Sequence, residues 1–292
     1  MPPTWMLSAL FGMFFFALGA NGFARIAARV GPMWINTFKC LLGGGFFFLA
    51  LGLSGQGLLI DGKGLLLLLS GALGLGLADL FILQAFREIG PARTFTLLCA
   101  APLVIGTMSW AFIGESLDPK KFYAIFFFIA AALVLSGEKT SDGEAPRNYR
   151  KGLALVAVFL LLDGAGNVIS RHALTSEGTS SLQVLVMRFA GAMVFFLIAN
   201  AIKPVKLLEG WRSLTPDERR LAIVASLSST VGGLGCYVYA MSQVEVAMLS
   251  GFALTLPLFA TAIECGLSRR WPGPRLLFAA ALSLGGGWIL CR

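Results

Sequence analysis

Two carboxylates, Asp79 and Asp163, stand deep inside stretches otherwise built mainly of Leu, Gly, Ala, Val and Phe. An ionised carboxylate facing hydrocarbon costs about 2.5–3.5 kcal/mol even on lenient insertion scales, so each must meet a partner. The chemistry open to them is binding of an ammonium group, exchange of a proton, or an internal ion pair. Lys39 lies about as deep as Asp79 from the same face, so Lys39 and Asp79 are a candidate structural ion pair as well as a candidate site. Asn167 and Arg171 follow Asp163 at i+4 and i+8, which puts the three on one helix face. Asn21 and Asn167 carry amides that bond either a solute or a neighbouring backbone. Tyr237, Tyr239 and Trp110 either line an apolar cavity that accepts a side chain or ring, or pack and anchor at the interface as helical aromatics commonly do. Pro102 and Pro257 interrupt apolar runs, and each frees a backbone carbonyl that a neighbouring helix or cavity water must satisfy.

Other chemistries lack their residues. The five cysteines lie in or at the end of apolar runs without CxxC spacing, and His172 is the single histidine. No metal and no cofactor is expected from such a set. There is no acid/base pair, activated nucleophile or HExxH pattern, so the reading is not an enzyme; a membrane-embedded enzyme acting on a lipid substrate is the rival from another class. The net charge of +8 comes from basic residues in ones and twos between apolar segments. Without a dense basic stripe, no nucleic acid is expected as a partner.

Membrane helices must hold these groups. The 292-residue chain is 57% hydrophobic and 13% charged, against about 25% charged in a soluble domain, and its mean hydropathy is +0.80. A spanning helix needs roughly 20 mostly apolar residues. Ten stretches fit, at 5–27, 33–53, 63–86, 92–113, 119–137, 151–172, 180–201, 218–242, 246–267 and 273–291. Gly31-Pro32, Gly90-Pro91 and Pro272-Gly273-Pro274 mark turns between them. The first run lacks a basic leader and a cleavage site, so it reads as a retained span. Asp163 is about 12 residues into its helix, or roughly 18 Å along it, near the centre of a ~30 Å core.

The polar stretch at 138–150 separates a first unit at 1–137 from a second at 151–292, five spans each. The units echo one another. Asn21 and Arg25 recur 146 positions on as Asn167 and Arg171, Lys39 recurs 149 on as Arg188, and Pro102 recurs 155 on as Pro257. Five is odd, so the second unit enters the membrane from the opposite side. The expected fold is therefore an all-α integral membrane protein of ten transmembrane helices in two inverted five-helix repeats, a plan many secondary transporters use. Sixteen Lys and Arg residues fall on the side of Arg25, Arg87 and Lys203, and five on the side of Lys63, with Lys39 and Arg188 inside helices. The positive-inside rule places the sixteen in the cytoplasm and both termini outside.

The run Ala85-Phe86-Arg87-Glu88-Ile89-Gly90-Pro91-Ala92, then Leu97 to Pro102, then Gly114-Glu115, resembles the EamA-type repeat of the drug/metabolite transporter superfamily. Ala247 and Pro257 echo it in the second half, and Lys39 and Arg188 match the repeat's basic residue early in its second helix. Arg269-Arg270 departs from it where Gly-Glu often stands, and Leu18-Gly19-Ala20-Asn21 departs where many relatives show Trp-Gly. The resemblance implies a multi-pass protein of a bacterial-type inner membrane that moves small organic metabolites. Its aromatic and other amino-acid exporter branch matches the length and ten-helix plan, with proton coupling an option and a lipid or lipid-linked sugar flippase the alternative. It also implies a midplane cavity lined by the first, third, fourth, sixth, eighth and ninth spans, with the fifth and tenth as outer supports. Oligomeric state is not legible.

Overall fold

The computed structural model describes residues 3–116, 148–176 and 178–267, with isolated helical positions between 123 and 134 and between 274 and 285. Apart from those isolated positions and 148–150, the expected spans at 119–137 and 273–291 and the stretch 138–150 lie outside the described residues. Among the described residues seven helices are long and apolar enough to cross a membrane. They are α1 (Thr4–Ala27), α2 (Arg29–Ser54), α3 (Gly62–Ile89), α5 (Tyr149–Thr175), α6 (Ser181–Ile202), α7 (Pro216–Gln243) and α8 (Val246–Ile263, continuing to Leu267). The run at 91–113 adds α4, whose apolar part is the shorter Leu98–Ile113.

Local chemistry sets the breaks. Gly31 and Gly90 take positive φ of 75° and 80°, conformations that suit glycine alone, and Pro32 and Pro91 follow, where a missing N–H is no loss at a helix start. Ser180 and Thr215 start α6 and α7 with capping boxes to Gln183 and Glu218. Outward faces carry Leu49, Leu53, Leu65, Leu197 and Ile198, side chains that hydrocarbon solvates without cost.

Contacts at the helix ends show that the halves are inverted. Arg29, just past the end of α1, pairs with Glu218 in the first turn of α7 at 3.2 Å. Arg171, in the last turns of α5, donates from Nη1 to the Met241 carbonyl at the far end of α7 at 2.7 Å. The opening helices of the two units, α1 and α5, therefore end on opposite faces. Exchange of the halves preserves the packing: α1 lies on α7 as α5 lies on α3, and α1 meets α8 as α5 meets α4.

The backbone irregularities obey the same exchange. α3 widens into a π-helix over Ala72–Ala78 and α7 over Ser228–Leu234, 156 positions apart. A π turn leaves carbonyls badly placed for their own helix. In α3 the Leu75 and Gly76 carbonyls both accept from Asn36 Nδ2 of α2 at 2.9 Å. In α7 the Ser226 carbonyl accepts from Ser229 and Thr230 of its own helix. Short 3-10 turns, Leu98–Ala100 and Phe252–Thr255, precede Pro102 and Pro257, so each proline stands at the start of a helical segment rather than within one.

α3 and α6 touch backbone to backbone. A Cβ on Gly71 would lie 1.8 Å from the Arg188 carbonyl oxygen, and one on Gly191 would lie 1.9 Å from that of Leu68. Only glycine permits this reciprocal approach, which brings the Arg188 backbone of the second half against the first.

Candidate functional site

The halves enclose a cavity of about 170 Å³, more than ten times the roughly 10–15 Å³ that admits one water. All eight described helices reach it. α2 contributes Lys39 and α6 contributes Arg188 and Phe189, so the two helices missing from the expected lining supply its basic residues. The walls are largely apolar, aliphatic side chains being joined by the aromatic rings of Phe16, Phe23, Phe86, Phe95, Phe159 and Tyr237. Phe23 and Phe86 stand within four residues of the ends of α1 and α3, so the cavity runs from the centre toward the face that carries Arg29 and Glu218.

Four charged side chains share it. Lys39 Nζ pairs directly with Asp79 Oδ2, joining α2 to α3, with side-chain exposures of 11% and 14%. Asp79 follows directly on the π segment, whose position Asn36 fixes through the bonds described above. On the adjoining α5, Asp163 Oδ2 accepts from Asn167 Nδ2 at 2.8 Å, the i+4 contact that the spacing implies. Asn167 Oδ1 in turn accepts from Arg188 Nη1 at 3.3 Å. Arg188 is fully buried, and its Nε has no hydrogen-bond partner among the described residues. Ser229, Thr230 and Ser250 add hydroxyls to the lining. Such a site can neutralise an ammonium, hold an anion and receive an apolar group without any bond-making chemistry.

A polar cluster ties the halves together at the other face. Arg171 Nε meets Glu115 Oε1 at 2.8 Å, both side chains being largely buried. Glu115 also accepts from the Val246 backbone N–H at 3.0 Å, at the start of α8 where a helix dipole favours an anion. Ser116 donates to Glu245 at 3.0 Å. Glu115 therefore links α4, α5 and the α7–α8 turn. Toward the cavity's own face, Lys151 Nζ lies 2.6 Å from Glu88 Oε1 and Gln84 donates to the same oxygen.

The sequence-derived candidates divide. Asp79, Asp163, Asn167, Lys39 and Tyr237 line the cavity. Pro102 and Pro257 adjoin lining residues Ala101 and Leu256. Asn21 is not on the cavity wall: its Nδ2 donates to Ala17 O at 2.9 Å and Ala260 O at 3.4 Å, fastening α1 to α8. Tyr239 and Trp110 face outward, 44% and 60% exposed. Tyr239 is two residues, some 200°, around the helix from Tyr237, so the two rings cannot share one face. Arg188 is the central residue missing from the sequence-derived set. Its signal was present, because it stands inside an apolar helix at the repeat position of Lys39.

Inverted helical halves around a charged, aromatic-walled cavity define a multi-pass membrane transporter. The chain belongs to the EamA-like transporter family, which it matches over residues 3–137 and 150–292, one repeat in each half. A protein of known crystal structure superposes with a TM-score of 0.71 at 21% identity, over 97% of this chain and 96% of the other. That likeness concerns the fold alone. No curated protein matches the chain.

Proposed function

We propose that the protein is a secondary transporter of the bacterial-type inner membrane that exports an amino acid with an apolar or aromatic side chain by alternating access. The observation that carries this reading is the cavity itself. Lys39, Asp79, Asp163 and Arg188 stand at its wall among phenylalanines and Tyr237, a mixture suited to a small solute with a charged head and an apolar body.

The family's inverted plan supplies the mechanism in outline. Rocking of one half against the other exposes a midplane site alternately to each side. Asp163 and Asp79 are the acids available to exchange a proton or meet an ammonium during that cycle. The test is purified protein in liposomes loaded with labelled phenylalanine or leucine. Counterflow of the amino acid supports the reading; movement of labelled lipid without amino acid overturns it in favour of a flippase.

A further inference from the structure

Arg188 poses a question that packing does not answer. A fully buried guanidinium with an unpartnered Nε is costly, because a buried charged donor left unmatched forfeits its solvation. Its Nη1 is committed to Asn167, which leaves the Nε–Nη2 edge, the fork that a carboxylate grips with two parallel bonds. Asp163 is close by, yet the two are bridged through Asn167 rather than paired directly.

Gly74 lies against both. A Cβ there would stand 2.9 Å from Arg188 Nη2 and 3.8 Å from Asp163 Oδ1, and no other atom beyond its own helix comes within 4 Å. The guanidinium therefore lies where only a glycine leaves it room, with the Asp163 carboxylate close by, so that one cation and one anion stand side by side at the cavity wall without pairing. The formal charges of Lys39, Asp79, Asp163 and Arg188 cancel, so a guest of net charge would be left uncompensated in a low-dielectric site. A zwitterion would not.

We infer that this cation and anion form the head-group subsite for the α-carboxylate and α-ammonium of an amino acid. Arg188 takes the carboxylate, Asp163 takes the ammonium, and the side chain lies against the phenylalanine wall. The inference rests on the amino-acid reading of the cavity and assigns its polar contacts. Gly74 is a positioning residue, because its missing side chain leaves room for the Arg188 guanidinium, which a methyl group there would displace.

The experiment measures binding to the purified full-length chain by ligand-induced thermal stabilisation and titration. The probes are L-phenylalanine, phenethylamine (no carboxylate), 3-phenylpropionate (no ammonium) and phenyl phosphate. L-phenylalanine should bind wild type roughly 10–100-fold more tightly than either single-charge analogue, the range for a lost charge-assisted hydrogen bond, and phenyl phosphate should not compete. Arg188→Lys should bring L-phenylalanine down to the affinity of phenethylamine. Gly74→Ala keeps every charge, provides a second variant if Arg188→Lys does not fold, and should weaken L-phenylalanine at least tenfold. Equal wild-type affinity for L-phenylalanine and phenethylamine, or unchanged L-phenylalanine binding in Gly74→Ala, would overturn the subsite. If wild type and Arg188→Lys carry amino acids into liposomes equally well, the subsite fails while the exporter reading stands. If 3-phenylpropionate binds and no amino acid does, both fail.

Discussion

Removal of Lys39 alone should be more damaging than removal of Lys39 and Asp79 together. Lys39→Met keeps the length and apolar stem of the side chain but leaves the Asp79 carboxylate, only 14% exposed, without its ammonium partner between Leu75, Ile82 and Leu83 of the cavity wall. Loss of one member of a buried pair typically costs about 3–5 kcal/mol, whereas an apolar replacement of both is neutral or stabilising. The double variant Lys39→Met/Asp79→Leu should therefore unfold within about 1 kcal/mol of wild type, with a coupling energy of several kcal/mol across the cycle. The assay is reversible unfolding of the four proteins in mixed micelles. Interhelical hydrogen bonds in a membrane average only about 0.6 kcal/mol in such cycles, so a coupling at that level would mean that the pair bears no buried charge. A double variant as unstable as the worse single variant would refute the pairing argument altogether. Transport separates the two roles: a purely structural pair predicts a double variant that still exports, and a functional Asp79 predicts one that is folded and inactive.

Asp163→Asn keeps the shape and the Asn167 contact while removing the charge; the variant should insert and fold with transport largely lost or its pH dependence altered, and wild-type transport would reduce Asp163 to packing. Gly71→Ala puts a methyl 1.8 Å from the Arg188 carbonyl, where ordinary contact begins at 3.4 Å. Overpacking of that kind costs about 1–3 kcal/mol or more, so the melting temperature should drop, and an unchanged melt would show that α3 and α6 separate freely. For orientation, an impermeant thiol reagent applied to intact cells should miss Ser213→Cys and label Gln56→Cys, because the positive-inside rule puts Ser213 in the cytoplasm; the reverse pattern would invert the protein.

What the sequence made legible is what is written in one dimension. Apolar length located the seven described helices long enough to span and the shorter α4, the Gly-Pro pairs marked two of the turns, and the offset series announced a duplication. The cavity was partly legible, since charge inside an apolar run is costly wherever it occurs. Pairing was harder to read because the acids do not obey the repeat. Ala17 stands 146 positions before Asp163, and Leu234 stands 155 after Asp79, so symmetry matches Lys39 with Arg188 but gives neither basic residue an equivalent partner. Trp110 was misplaced for want of a face: it lies five residues from cavity-lining Ile105, about 140° around α4. The contacts of Glu115 with Arg171 and Val246 join segments 56 and 131 residues apart, and no local pattern announces them.

A π turn holds one residue more than an α-helix needs to keep its register, and that surplus can travel along the rod one peptide at a time. α3 and α7 each carry such a loose stitch at matching places, but they are fastened differently. In α3 an amide from another helix, Asn36, pins two carbonyls; in α7 the hydroxyls that cover the Ser226 carbonyl belong to the same rod and travel with it. A ripple along α3 must first pull that peg, while one along α7 begins by reseating its own hydroxyls and meets its first peg from another helix two residues past the π segment, where Ser8 Oγ donates to the Cys236 carbonyl at 3.0 Å. The duplicated halves are alike in shape and unlike in how these two turns are fastened.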